Sequence, residues 1–183
     1  MIVSGCSTLG GNSSTDEPEE TEPEPAPGPN QESSGNTETK AQLVGDYQIA
    51  YEGVQTSKET LNTVFDSFEN ENYSLVTATL SDFESQVEAF STSFEEAATA
   101  ATELGNNVVR QACTAGKNEA SAIGNAGTYI MEAANQAANE NSGEAQTKLA
   151  QAQAALESAQ EHHKGVLQPT EVQTQTNYTG PTM

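Results

Sequence analysis

An all-α fold is what this sequence predicts, as an antiparallel up-down four-helix bundle or a long helical hairpin preceded by a disordered tether. Two observations predict it. Apolar residues recur in alternating steps of three and four over long stretches, and only short polar turns separate one stretch from the next.

The first stripe is Val44, Tyr47, Tyr51, Val54, Lys58, Leu61, Phe65 and Phe68, a heptad seam into which a single lysine intrudes. Glu69-Asn70-Glu71-Asn72 interrupts it. The second restarts at Tyr73 and continues through Val76, Leu80, Phe83, Val87, Phe90, Phe94, Ala97, Ala101 and Leu104. All five phenylalanines lie on these two stripes, which marks them as core rather than as a ligand box. Gly105-Asn106-Asn107 is a C-cap and turn signal.

A third helix is expected from about 107 to 139, with different chemistry. Ala112, Gly116, Ala120 and Gly124 recur every four residues, a ridge without side-chain bulk. Each helical glycine costs about 1 kcal/mol relative to alanine, so the expected return is close approach of a neighbouring helix, with phenylalanines filling the space. A ligand-admitting gap beside this ridge is the alternative. Asn141-Ser142-Gly143 breaks the chain again, with Ser142 expected as N-cap and Glu144 favourable at the helix start. The fourth helix carries Ala145, Leu149, Ala152, Leu156, Ala159, His163 and Val166 and is expected to end near Gly165, before Pro169. At about 1.5 Å per residue the longer helices make a bundle roughly 45–50 Å long. The helical domain is thus read as 38–167, and 168–183 as a flexible polar tail.

Ahead of the domain, Val3-Ser4-Gly5-Cys6 has the pattern of a lipobox: an aliphatic residue, two small residues, then the cysteine that receives lipid. Residues 1–6 are read as the end of a truncated signal, because an export signal carries a basic and an apolar region before its cleavage site. From Ser7 to Thr37 the chain is Gly, Ser, Thr, Asn, Pro and acid, with Leu9 its only large aliphatic residue. Such a composition buries too little apolar surface to fold, and like charges with proline extend it. The expected protein is lipid-anchored through Cys6, on the outer face of the cell membrane. If Met1 is the true start, a cytosolic acidic helical protein is the expectation instead.

The formal charge is −21, from 27 acids against 6 bases. Self-repulsion at that density calls for screening by salt and argues against nucleic acid as a partner. The lipobox, the acidic tether and the scarcity of lysine together resemble the lipoproteins of halophilic archaea. That resemblance covers the first 37 residues and the overall charge, and it implies an envelope address without a specific role for the domain. Only four of the acids are aspartate, a departure from the pattern.

Chemistry-bearing constellations are few. Cys113 has no partner if Cys6 is lipidated, and it reads as a small buried residue on a helix. His162 and His163 are adjacent, so they point about 100° apart and share no metal face. No carboxylate lies three residues before either histidine, no phosphate loop or Cys-x-x-Cys occurs, and no calcium-loop pattern is present. No catalytic residue, metal or cofactor is therefore expected, and the protein is read as not an enzyme. Lys58 is expected to snorkel to the surface or to specify helix register, rather than to hold an anion. Asn12, Asn72 and Asn177 open N-glycosylation sequons in segments expected to be exposed. Two functions fit: a structural or interaction module that binds another envelope protein or itself through helix faces, or a small-ligand receptor using a gap beside the glycine-rich helix.

Overall fold

The structure, a computed structural model, describes residues 33–180. They form six helices: α1 (Ser33–Glu69), α2 (Tyr73–Leu80), α3 (Phe83–Glu103), α4 (Asn107–Ala138), α5 (Ser142–His163) and α6 (Pro169–Thr176). No strand occurs among the described residues. The all-α class expected from the apolar periodicity is what the chain adopts. Cys6, Asn12 and residues 7–32 of the expected tether lie outside the described residues.

Three turns join the long helices, and all three are built alike. Each helix ends, one residue takes the left-handed conformation, and an asparagine starts the next helix. The left-handed residues are Glu71 (φ 57°), Gly105 (φ 66°) and Glu140 (φ 61°). The asparagine amides reach back five residues to a helix carbonyl: Asn72 to Ser67 at 2.9 Å, Asn106 to Ala101 at 2.8 Å and Asn141 to Gln136 at 2.9 Å. This is the Schellman closure, which satisfies the last carbonyls of one helix while reversing the chain. At Asn106 the side chain also accepts from the Val109 N–H at 3.1 Å, capping α4. The cap of α5 is Asn141, not the expected Ser142.

Glutamate in the left-handed region is strained by its Cβ, whereas glycine is not. Glu140→Gly is therefore expected to stabilise the domain by about 0.5–1 kcal/mol in urea unfolding, the relief of strain outweighing the entropy glycine loses. Gly105→Ala should shift stability the opposite way. If both changes move it in the same direction, the turn conformations are misassigned.

Side-chain pairs fix the antiparallel order. Tyr47 of α1 meets Phe94 of α3 edge to face, ring centroids 5.4 Å apart. Between α3 and α4, Phe94 lies over Gly116 and Phe83 over Gly127, so close that an added Cβ would fall 2.5 and 2.4 Å from ring carbons. Lys117 pairs with Glu95 at 2.8 Å on the same interface. Between α4 and α5, Lys148 pairs with Glu132 at 2.7 Å. The glycines of α4 thus let two aromatic rings sit against its backbone, at Gly116 as the small-residue ridge predicted and at Gly127 outside that ridge, while Gly124 of the ridge meets Val87 instead. Gly53 does the same for Phe90 across α1 and α3.

Four local expectations are corrected. The second helix is not continuous: it breaks at Ser81 and Asp82, where the Ser81 hydroxyl bonds the Ala78 carbonyl at 3.1 Å. Its apolar stripe nonetheless crosses the break, with Val76, Leu80, Phe83 and Val87 all buried. Residues 33–37, placed in the tether, are the first turns of α1. No proline follows Pro29 there, and the packed part of α1 propagates outward at little cost. The fourth helix ends at His163, and the segment read as a loose tail instead carries α6.

Helix α6 starts with Pro169 at its first turn and a capping box between Gln168 and Glu171, whose Oε2 accepts from the Gln168 N–H at 2.7 Å. Val172 and Thr176 are buried. The Tyr47 hydroxyl secures the approach to α6. It donates to the Leu167 carbonyl at 2.8 Å and accepts from the Leu167 N–H at 2.9 Å. Burial pushes the Tyr47 phenol well above its ordinary range.

Candidate functional site: a buried carboxylate beside an open groove

A closed four-helix bundle has four sides. Here α1 packs on α3, α3 on α4, and α4 on α5, while α4 also reaches α1, α2 and α6. The fourth side stays open. No Cα of α5 comes within 8 Å of a Cα of α1, although tightly packed helix axes lie only about 8–10 Å apart.

The reason is visible in the rows of α1. Leu43, Ala50, Ser57 and Val64, spaced by seven, are buried together with Tyr47, Val54 and Leu61. The alternative row of Tyr51, Lys58 and Phe65, which the sequence stripe placed in the seam, is only half-buried. It faces the gap. On α5 the division repeats: Ala145, Ala152 and Ala159 are buried, while Leu149, Leu156 and His163 are half-buried. The two outer rows border a groove of about 320 Å³, lined by Lys58, Leu61, Asn62, Phe65, Ile123, Leu156, Ala159, Gln160 and His163.

At one end of this groove lies the least expected group of the core. Glu119 of α4 is 1% exposed. Burying a carboxylate costs several kcal/mol unless charge and hydrogen bonds compensate. Two residues converge on it. The Lys58 ammonium from α1 forms an ion pair with Oε1. His163 from α5 places Nδ1 3.0 Å from Oε1 and 3.1 Å from Oε2. Beside an ionised carboxylate, that nitrogen carries its proton and donates. Lys58 Nζ stands 3.5 Å from His163 Nδ1, so both donors share one acceptor group. Three helices are thereby tied at a single point, and all three contribute to the groove lining.

This corrects the expectation that Lys58 would hold no anion: its ammonium pairs with the Glu119 carboxylate, a link between α1 and α4 that is compatible with the register role. Glu119 itself was missed. Its signal was present: it lies three residues after Gly116 and four before Ile123, on the buried stripe of α4.

The other residues singled out from sequence do not gather at this site. Cys113 is buried and free, and burial pushes its thiol up to about 12, so it is inert packing. His162, the residue before His163 in the last turn of α5, is half-buried. Asn72 and Asn177 are exposed, at a helix start and in a left-handed C-cap, and Ser74 Oγ donates to Asn72 Oδ1 at 3.3 Å. No apolar gap opens at Gly116 of the ridge, nor at Gly127 beyond it, where phenylalanine rings fill the space. Beside Gly124 there is a polar hollow lined by Glu84, Glu88, Ser91, Ser121 and Asn125. Among the described residues no group of three or more His, Cys, Asp or Glu side chains is placed to hold a metal ion. No described helix is long and apolar enough to cross a membrane.

Comparison with protein-family models, curated proteins and solved structures finds no match, so the site is read from its own geometry.

Proposed function

We propose that this chain is a lipid-anchored cell-surface helical module, resembling the acidic lipoproteins of halophilic archaea, that acts through its helix faces rather than through catalysis. The observation that carries the reading is the order of its parts. A lipobox-like Cys6 and an acidic Pro-rich stretch precede a compact helical domain whose first helix begins at Ser33. The domain's geometry supports it. Asn36 and Lys40 at the start of α1 border the same hollow as Gln175, Thr176 and Asn177 at the end of α6. Both ends of the described chain therefore meet at one pole. The turns at Glu71 and Glu140 lie at the opposite pole, as a domain held from one end would present them.

Lipid on Cys6 is the membrane partner in this proposal. The partner of the helix faces is another envelope protein or a second copy of the chain, and the strong negative charge disfavours nucleic acid. Stable anchoring takes more than one acyl chain, at about 0.8 kcal/mol per buried CH₂. Expressed with the DNA that naturally precedes it, the protein is expected to sediment with membranes, and Cys6→Ser to appear in the medium or remain unprocessed. Cys113→Ser serves as the thiol control. A Cys6→Ser protein that stays fully membrane-bound removes the lipoprotein reading.

A further inference from the structure

We infer that the groove between α1 and α5 is a binding site for a small amphiphile: an apolar body with one uncharged oxygen head, a hydroxyl or carbonyl. The inference goes beyond the surface-module reading and stands without it, because the groove belongs to the helical domain alone.

Size selects the class of occupant. From Lys58 to Phe65 is seven residues, roughly 10 Å of helix, and the volume of about 320 Å³ sits at the small end of ligand pockets. A docked helix would need a longer trough, since stable protein interfaces bury about 800 Å² on each partner. A second copy of the chain is disfavoured by charge, because exposed Glu59, Asp66 and Glu157 directly follow Lys58, Phe65 and Leu156. Like charges would meet there.

The walls select the body. Phe65 and Leu156 are half-buried and flank the groove, Leu61 and Ile123 are buried beneath it, and the four apolar side chains come from three helices. The triad selects the head. The Lys58 side chain is 31% exposed and that of His163 41%, so both remain accessible from the groove while Glu119 beneath them is sealed. An ammonium has three N–H groups, and Glu119 takes up one side of it, leaving donors for an oxygen acceptor. The charge of Lys58 is already balanced by Glu119. An anionic head would add an unbalanced charge within a chain of net charge −21, and a cationic head would face the ammonium. A neutral acceptor meets neither penalty.

The test uses three probes of one chain length, 1-octanol, octanoate and octylammonium, titrated into the purified protein and followed by amide and methyl chemical shifts. The expected result is saturable shifts by 1-octanol at Leu61, Ile123 and Leu156. Octanoate and octylammonium should bind at least about tenfold more weakly, a difference of about 1.4 kcal/mol. Gln160→Trp, at the exposed rim, should fill the groove and abolish the shifts, and Asn62→Trp provides a second block from the α1 side should the first fail to fold. The inference is overturned by any of three results: no saturable shift at these residues, tighter binding of either charged probe, or 1-octanol binding that survives a folded rim variant.

Discussion

Lys58→Met is expected to lower the unfolding free energy by about 3–5 kcal/mol, the range for removing one partner of a buried ion pair. The loss comes less from the lysine than from what it leaves behind. Glu119 is 1% exposed, so its charge would remain sealed in the core with only His163 against it. The matching control is Lys117→Met. Its partner Glu95 is 65% exposed, and such surface pairs contribute only about 0–1 kcal/mol. Urea unfolding of the two variants side by side should separate them by several kcal/mol. Equal losses would mean that water reaches Glu119 and that no buried charge organises this part of the core.

Phe94→Ala should cost a comparable amount, about 3–5 kcal/mol, the range for truncating a buried phenylalanine. Its ring is 1% exposed, fills the space over Gly116 and meets Tyr47 edge to face, so the cavity would open between α1, α3 and α4. The helices cannot close it readily, because Tyr47 is itself fixed by both hydrogen bonds to Leu167. Phe68→Ala, on a half-buried ring against Tyr73 at the first turn, should cost clearly less. A thermal melt in which the two variants coincide would contradict the assignment of Phe94 to the centre of the core.

Periodicity made most of this fold legible. The steps of three and four located the helices because burial on a helix repeats every 3.6 residues whatever the partner. The same rule could not say which of two neighbouring rows is sealed. On α1 the stripe through Tyr51, Lys58 and Phe65 and the row through Leu43, Ala50, Ser57 and Val64 are both compatible with a seam. Ala50 and Ser57 are too small and too polar to advertise burial, so the larger side chains of the open row were read as core. The break at Ser81 and Asp82 was hidden for a related reason, since the apolar stripe continues through it undisturbed. Helix α6 escaped notice because only Val172 is a large apolar residue in it. Its stability comes from Pro169, the Gln168–Glu171 capping box and docking on α1, none of which has a period.

The candidate site was partly written in the sequence as three exceptions. Lys58 interrupts the stripe of α1, His163 that of α5, and Glu119 occupies the buried stripe of α4. Each alone reads as a side chain that escapes to solvent. Only the register between helices brings them together, and register depends on turn geometry: the left-handed Glu71, Gly105 and Glu140 and the asparagines that follow. Two of those turns share the tripeptide Asn-Glu-Asn, a local signal with a physical basis in the Schellman closure.

A desolvated Glu119 carboxylate, balanced by Lys58, joins α1 and α4 beside the open groove. A double-mutant cycle of Lys58→Met and Glu119→Leu in urea unfolding tests it most directly. Replacing both charges with apolar groups removes the unpaired carboxylate that makes Lys58→Met costly. The predicted result is a double variant markedly more stable than Lys58→Met alone, recovering about 2 kcal/mol or more. Additive losses, with the double variant the least stable of the set, would contradict the claim.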